Sequence, residues 1–325
     1  MKTIAIVATG GTIAGTGKKG KTAAYHAGEI DIDSIIETIP EINEVAHIKE
    51  YQLMNIDSNE MTHEKWLILK NNIEEILSDD TIDGAVVTHG TDTLDETAYF
   101  LTLTLNTPKP VVLTGAMRPA TATSADGPFN LYQAICLACH GESYNRGVLA
   151  LFSSTIYSGR DIQKVSNFKI DAFDQKEFGC LGYMQDQEVY FYTQTSKIHT
   201  IKSRFNKRID SIKSVAIAFY YSGADAKILY DLASDHEGIV IAGSGSGNYS
   251  QAWLKAIEEL SEKGTIFVRS SRISQGIVFD DEIFDPHHLC ISSNTLSPQK
   301  ARVLLMLALT QTHDRDEIRE IFLQY

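Results

Sequence analysis

The chain has 325 residues, with 29 basic and 42 acidic side chains and a formal net charge of −13. This length is typical of about two domains, and 43% hydrophobic against 22% charged residues excludes disorder, collagen and coiled coil as descriptions of the whole chain. The acidic balance argues against nucleic acid as a partner, because binding to a phosphate backbone requires clustered Lys and Arg.

The predicted elements alternate along the chain between short apolar runs rich in β-branched residues and amphipathic segments. Strands are predicted at residues 3–8, 84–88, 110–113, 147–151, 214–219, 238–242 and 265–269. Helices are predicted at residues 33–39, 62–77, 94–105, 127–138, 224–232, 250–263, 297–309 and 312–322. Continuous apolar strands that alternate with helices indicate an α/β fold, with a parallel sheet covered on both faces.

A change of character near the middle of the chain predicts the domain organisation. Residues 194–213 are polar, basic and without periodicity, which is typical of an interdomain linker. We expect a larger N-terminal domain over residues 1–193, with a mainly parallel sheet flanked by helices. A smaller C-terminal α/β domain is expected over residues 214–325.

The compartment is predicted from apolar runs and cysteines. No apolar run reaches the ~18 residues of a membrane span. The run at residues 4–8 is shorter than the ~7–15 residues of a signal-peptide core, so it is interpreted as a strand. Four cysteines are too few for a disulfide framework and fit a reducing compartment. We expect a cytoplasmic protein with no membrane partner, or a periplasmic one if a signal peptide has been removed.

Three motif matches have a structural alternative. Residues 15–22 match the phosphate-loop pattern, but the preceding strand ends near residue 8 and the next helix begins near residue 33, so a Gly/Lys-rich loop is favoured. Cys136, Cys139 and His140 match a haem-attachment pattern inside an apolar helix, where buried thiols that pack the core are favoured. The segment GSGSGN after the strand at residues 238–242 is either a structural turn or a ligand-facing loop.

Threonine follows glycine at the predicted ends of two strands, in ATGGTIA at residues 8–14 and THGTDT at residues 88–93. The carboxyl ends of parallel strands form the edge where α/β sheets bind ligands. A threonine hydroxyl becomes a nucleophile when a neighbour removes its proton. The candidate neighbours are Lys164, Asp92 and Tyr25.

The segments IVATGGTIAG and GAVVTHGTDTL resemble the two signature motifs of the bacterial L-asparaginase/glutaminase family. Further similar segments follow in order: TGAMRPATATSADGPFNLY, GRDIQKVSNF, GSGSGN, RSSR and TLSPQKARVLLMLALTQTHD. The resemblance covers essentially the whole chain and is to the type II branch. It implies an amidohydrolase, without cofactor or metal, that converts L-asparagine to L-aspartate and ammonia, with side activity on L-glutamine. The alternative is a glutaminase-asparaginase of broad specificity.

The resemblance also implies roles for individual residues. Thr12 matches the nucleophile and Tyr25 a tyrosine on a lid formed by residues 15–28, while Thr91, Asp92 and Lys164 match the second catalytic group. The substrate-binding positions are Ser58, Asn59, Thr91, Asp92, Ala116, Asn248 and Glu282. Asn248 and Glu282 match residues supplied by a neighbouring subunit, which implies a homotetramer built as a dimer of dimers with shared active sites.

Asn59 departs from the family pattern, which has Gln or sometimes Glu at this position. Asn keeps an acceptor for a substrate ammonium but is one methylene shorter, so we expect weaker binding or a changed ratio of asparagine to glutamine hydrolysis. A non-catalytic amino-acid sensor is a competing hypothesis. It is disfavoured because Thr12, Thr91 and Lys164 are all present.

Overall fold

The computed structural model describes residues 1–18, 20–21, 25–26, 31–175, 178–280, 282–283 and 285–325. It divides into two compact units, residues 1–207 and residues 208–325. The linker over residues 194–213 and the domain bounds on either side of it stay predictions. Among the helices of these residues, none has both the length and the apolar character needed to cross a membrane.

The first unit contains a large sheet and flanking helices. Its strands are β1 (Lys2–Gly10), β2 (Thr16–Gly17), β3 (Tyr25–His26), β4 (Ala46–Ile56), β5 (Gly84–Thr88), β6 (Val111–Thr114), β7 (Val148–Phe152), β8 (Thr155–Ser158), β9 (Gln163–Lys164), β10 (Phe173–Asp174), β11 (Gly182–Gln185) and β12 (Glu188–Phe191). Its helices are α1 (Ile32–Ile36), α2 (Ile42–Val45), α3 (His63–Ser78), α4 (Leu94–Thr104) and α5 (Gly127–Cys139).

The main sheet, within the described residues, has the strand order β12-β11-β8-β7-β6-β5-β1-β4. The five strands from β7 to β4 are parallel to one another. β8, β11 and β12 continue the sheet in antiparallel pairing. The predicted α/β class with a mainly parallel sheet is confirmed, and the antiparallel strands at one end are an addition to it.

The edge strand β4 was not predicted from the sequence. It spans 11 residues, and buried or half-buried positions alternate with exposed ones along much of its length. A strand at the edge of a sheet is covered less completely than a central strand, so it does not produce a continuous apolar run. The central strands β5, β6 and β7 are buried at every position, which is why their sequences were recognised.

The helices of the first unit follow their apolar spacing. On α3 the buried residues include Trp66, Leu69, Ile73 and Leu77, which recur at the three- and four-residue intervals of one helix face. Thr62 caps this helix by accepting a hydrogen bond from the backbone of the third helical residue at 3.4 Å. Each large apolar side chain buried in this way stabilises the fold by about 2–3 kcal/mol.

The second unit contains a parallel sheet of order β13-β14-β15-β16 within the described residues. Its strands are β13 (Val215–Phe219), β14 (Gly238–Gly243), β15 (Ile266–Ser271) and β16 (Cys290–Ser292). Its helices are α6 (Lys227–Ala233), α7 (Gln251–Glu262), α8 (Pro298–Ala308) and α9 (Arg315–Gln324). The last three helices begin after Ser250, Ser297 and Asp314, whose side chains accept hydrogen bonds from helix backbone N–H groups.

The order of the strands reverses between β1 and β5. The chain passes from β1 to β4 on one side, and then returns to β5 on the other side of β1. In open α/β sheets, ligands bind outside the carboxyl ends of the strands at such a reversal. The two Gly-Thr turns predicted from the sequence follow these two strands.

Candidate active site

Three glycines allow the loops after β1, β4 and β5 to touch. A Cβ on Gly11 would lie 2.5 Å from Cα of Gly90, and a Cβ on Gly90 would lie 2.7 Å from Cβ of Ser58. A Cβ on Gly10 would lie 2.5 Å from the backbone nitrogen of Ile56. Real side chains do not approach so closely, so these positions require glycine. The loops after β1 and β4 therefore both pack against Gly90, and Gly10 packs against the end of β4.

Thr12 lies on a buried turn at the end of β1. It begins a short 3-10 helix, Thr12–Ala14, and is 6% exposed. Gly10 and Gly11 precede it with φ angles of 104° and 85°, which other residues rarely adopt. The backbone N–H of Gly11 donates to the carbonyl of Ile56 at 3.0 Å. The position of Thr12 is thus set by the sheet and not by a mobile loop.

Lys164 connects Thr91 and Asp92. Its Nζ donates to Oγ1 of Thr91 at 2.8 Å and to Oδ1 of Asp92 at 2.5 Å. The side chain of Lys164 is 14% exposed, that of Asp92 is 57% exposed, and Thr91 is buried. Because an ammonium group only donates, Thr91 Oγ1 is the acceptor and its own O–H is left to donate to another group. Lys164 lies on β9, which pairs with β10.

Ser58 and Asn59 lie in the short 3-10 helix Ser58–Glu60 after β4. The carbonyl of the buried Ser58 accepts from the hydroxyl of Thr93 at 2.8 Å, which joins this loop to the loop after β5. Oδ1 of Asp57 accepts from the backbone N–H of Asn59 and from Asn59 Nδ2, each at 2.8 Å. The second of these bonds leaves Oδ1 of Asn59 as the acceptor that the amide presents elsewhere.

Asp57 and Thr93 support the site but are not among the residues predicted from the sequence. Asp57 caps the 3-10 helix, and an Asp just before a helical turn is a known capping signal that could have found it. Thr93 donates a hydrogen bond to Ser58, which lies 35 residues earlier, and no local sequence pattern indicates such a contact.

Ala116 is fully buried in the loop after β6. Asn130 on α5 donates to the carbonyl of Gly115 at 3.0 Å, and Asp126 accepts from two backbone N–H groups of the loop at 2.9 Å each. A Cβ on Gly115 would lie 2.4 Å from the carbonyl oxygen of His89, so the loop also touches the loop after β5. The backbone around Ala116 is therefore fixed from two sides.

The predicted lid begins after the 3-10 helix that carries Thr12. Gly17 on β2 pairs with Tyr25 on β3. The backbone of Ala120 donates to the carbonyl of Gly15 at 3.1 Å, and the backbone of Gly17 donates to the hydroxyl of Thr121 at 3.0 Å. The side chain of Tyr25 and residues 19, 22–24 and 27–30 lie outside the described residues. Residues 16–17 form β2, so the phosphate-loop match at residues 15–22 lacks its helix within the described part.

The haem-attachment match lies on α5 in the core. Cys136 is buried, Cys139 is half-buried, and burial raises the pKa of both thiols to about 11. Thiols of this kind are protonated and unreactive near neutral pH. Among the described residues, no group of three or more His, Cys, Asp or Glu side chains is arranged to hold a metal ion.

Asn248 and Glu282 belong to the second unit. Asn248 ends a tight turn after β14, in which its backbone N–H donates to the carbonyl of Ser244 at 2.7 Å. Its Oδ1 is buried without a hydrogen-bond partner among the described residues, which favours pairing with a ligand, a water or another chain. The side chain of Glu282 is 83% exposed and its Oε1 lies 3.7 Å from Nε2 of His288.

The first unit thus brings together five of the predicted site positions. These are Thr12, Ser58, Thr91, Asp92 and Lys164. They provide two hydroxyls on buried turns, an ammonium that is bonded to a carboxylate, and a third hydroxyl-bearing residue at the same sheet edge. Such a set combines a candidate nucleophile, a second hydroxyl and charged groups for a polar ligand.

Comparison with known proteins covers the whole chain. Residues 3–197 match the family model "Asparaginase, N-terminal", and residues 214–322 match "Glutaminase/Asparaginase C-terminal domain". The chain is 44% identical to a "Probable L-asparaginase periplasmic" of Haemophilus influenzae, over 98% of this chain and 92% of that protein. It is 41% identical to "L-asparaginase 2" of Escherichia coli, over 99% of this chain and 93% of that protein.

Two further similarities bear on specificity and fold. A "Glutaminase-asparaginase" of Pseudomonas fluorescens biotype A is 38% identical, over 99% of this chain and 90% of that protein. The crystal structure of "Probable Cytoplasmic L-asparaginase from Campylobacter jejuni" superposes with a TM-score of 0.95 at 44% identity, over 100% of both chains.

Proposed function

The chain belongs to the asparaginase/glutaminase family, and we propose that it hydrolyses the side-chain amide of L-asparagine through an acyl-enzyme on Thr12. Three relatives named L-asparaginase are 41–44% identical to it over nearly its full length. The observation that supports the mechanism best is the contact between Gly11 and Gly90, because it brings the turns that carry Thr12 and Thr91 side by side.

In this scheme Oγ1 of Thr12 attacks the amide carbon of the substrate. The hydroxyl proton passes to the amide nitrogen, ammonia leaves, and the β-carboxyl group of aspartate remains as an ester on Thr12. Water then hydrolyses the ester, which releases L-aspartate and restores the hydroxyl. Tyr25 hydrogen-bonds to Thr12 when the lid closes and excludes bulk water.

Thr91, Lys164 and Asp92 form the second catalytic group. Because Thr91 Oγ1 accepts a hydrogen bond from Lys164 at 2.8 Å, its own proton is available to polarise the amide or to position the water. The low exposure of Thr91 and Lys164 strengthens this hydrogen bond relative to one in water.

The α-groups of the substrate are held by charge and hydrogen bonds. Ser58 binds the α-carboxylate and Asp92 binds the α-ammonium, with Oδ1 of Asn59 as a further acceptor. Hydrogen bonds of this kind to charged groups are about twice as strong as neutral ones. The backbone around Ala116 receives the amide nitrogen of the substrate. This role is supported by the hydrogen bonds that fix the loop after β6.

Glutamine is a second candidate substrate. Relatives named glutaminase-asparaginase are 37–38% identical to this chain over nearly its full length. We propose L-asparagine as the main substrate with side activity on L-glutamine, and a glutaminase-asparaginase of broad specificity as the alternative. The ratio of kcat/KM for the two amides distinguishes them.

Steady-state release of ammonia from L-asparagine, and then from L-glutamine, tests the proposal. We expect the wild-type protein to be active and Thr12→Ala to lose kcat by about a thousandfold or more. Thr12→Ser keeps a hydroxyl at the same atom and is the control, with activity retained in part. Absence of ammonia release by the wild type, or full activity of Thr12→Ala, contradicts the mechanism.

The assembly is a separate part of the proposal. Asn248 and Glu282 complete the site of a neighbouring subunit, in a homotetramer built as a dimer of dimers. The buried Oδ1 of Asn248, without a partner among the described residues, supports a contact made outside the chain.

The compartment is a further open part of the proposal. One similar protein is named periplasmic and another cytoplasmic, so the family is compatible with both compartments. Asparaginase activity measured in the periplasmic and cytoplasmic fractions of the source cells distinguishes the two compartments.

A further inference from the structure

His89 follows β5 directly and is fully buried beside Gly90. Its Nδ1 lies 2.7 Å from the carbonyl oxygen of Gly90, and its Nε2 lies 3.0 Å from Oγ1 of Thr97 on α4. Oγ1 of Thr97 in turn accepts from Nε1 of Trp66 on α3 at 2.8 Å. Trp66, Thr97 and His89 thus form a buried relay of hydrogen bonds that ends on the Gly90 carbonyl. We refer to these three side chains as the His89 relay.

The direction of each hydrogen bond in the relay follows from the groups involved. A carbonyl only accepts, so Nδ1 of His89 carries a proton, and an indole N–H only donates, so Thr97 accepts from Trp66. Burial lowers the pKa of His89 to about 4, so the ring is neutral near pH 7. Nε2 is then an acceptor for the Thr97 hydroxyl. Each donor in the relay therefore faces an acceptor.

Gly90 is the part of this loop that most needs an external restraint. It must be glycine because a Cβ would meet Ser58 at 2.7 Å, yet glycine is the residue with the greatest backbone freedom. The residue before it is already held, since the backbone N–H of His89 donates to the carbonyl of Thr114 at 2.9 Å. The imidazole N–H extends this restraint to the peptide that joins Gly90 to Thr91.

We propose that His89 is a positioning residue, whose Nδ1–H fixes the direction of the Gly90 carbonyl and thereby the presentation of Thr91. The Gly90 carbonyl and the Thr91 N–H belong to one planar peptide, so a rotation of one carries the other with it. His89 acts through this peptide and not on the substrate. The inference rests on the proposed function, because it concerns how Thr91 is held toward Thr12.

A matched pair of variants tests the role of His89. Asn and Leu have nearly the same size and shape, but only Asn offers an N–H close to the place of Nδ1. Both His89→Asn and His89→Leu lose the bond to Thr97, so their comparison isolates the bond to the Gly90 carbonyl. We expect kcat for L-asparagine to be about tenfold or more lower in His89→Leu than in His89→Asn, with KM values within about threefold of each other.

A merely structural role gives a different result. It lowers the thermal midpoints of the two variants but leaves equal kcat values per folded enzyme, and that outcome overturns the proposal. If wild-type protein releases no ammonia, the proposed function fails. If wild type is active and the two variants are equal, only the role of His89 fails.

Nitrogen-15 NMR of histidine-labelled wild-type protein tests the relay without any kinetic assay. At pH 7 we expect the His89 ring to be neutral, with a slowly exchanging proton on Nδ1 and no proton on Nε2. Its signal is assigned by its loss in His89→Asn or by its shift in Thr97→Val. An Nε2–H tautomer, or a rapidly exchanging proton on Nδ1, overturns the proposal even where a His89 variant does not fold.

Discussion

At the residue scale, the amide of Asn59 is oriented by the carboxylate of Asp57. The bond from Asn59 Nδ2 to Asp57 Oδ1, at 2.8 Å, leaves the amide oxygen free of this contact, and we propose that oxygen as an acceptor for the substrate ammonium. In Asn59→Gln the amide is one methylene longer and cannot keep this geometry. We expect the ratio of kcat/KM for asparagine to that for glutamine to change by about threefold or more. Steady-state kinetics on both amides measure it.

The matched control for this change is Asn71→Gln, which makes the same substitution at an exposed position of α3. It is expected to leave the ratio unchanged. Kinetics of Asn59→Gln that equal those of the wild type on both amides contradict the role given to Asn59.

The buried ring of His89 also predicts a pH dependence of stability. Its pKa is lowered by burial from 6.5 to about 4, so between these values the unfolded chain binds a proton that the folded chain does not. Stability therefore rises with pH across this window and is lost as pH falls through it. Relative to His89→Asn, we expect the wild type to lose about 3 kcal/mol more of its free energy of unfolding from pH 7 to pH 4. Urea unfolding of both proteins at pH 7 and pH 4 measures these losses, and equal losses in the two proteins contradict the prediction.

At the scale of the elements, the contact among the loops after β1, β4 and β5 depends on the absence of a side chain at Gly90. We expect Gly90→Ala to lose about 3 kcal/mol of its free energy of unfolding, and kcat to fall about a hundredfold because the loops must separate. Gly141→Ala is the control, since a Cβ there meets nothing within 4 Å and neither glycine has a positive φ. Equal activity of the two variants contradicts the packing argument.

At the scale of the whole molecule, the proposed sharing of sites predicts complementation between inactive subunits. Thr12→Ala and Asn248→Ala damage opposite sides of each shared site. Random co-assembly of the two is expected to restore about one quarter of the wild-type sites. Ammonia release by the mixture, compared with each variant alone, measures the recovery.

Co-assembly of Thr12→Ala with Lys164→Ala provides the control. These two residues lie in the same unit of one chain, so every site of the mixed assembly keeps a defect and no recovery is expected. Recovery in the control, or its absence in the mixture with Asn248→Ala, contradicts shared active sites.

Much of the molecule could be predicted from local patterns. The central strands β5, β6 and β7 are buried along their whole length, and the helices α3, α4 and α5 begin and end within a few residues of their predicted bounds. β4 escaped prediction because its exposed positions interrupt the apolar run. The antiparallel strands β8, β11 and β12 escaped because each mixes apolar residues with polar residues or glycine and so produces no continuous apolar run.

The sequence by itself determined the buried central parallel strands, the Gly-Thr turns and the family, because apolar runs and glycine-containing motifs are properties of consecutive residues. Only the tertiary structure decided that Lys164 bonds to Thr91, 73 residues earlier, and to Asp92 beside it. Only the tertiary structure decided that His89 is neutral and donates to Gly90. Distances, burial and protonation depend on neighbours from remote parts of the chain, and no short window of sequence contains those neighbours.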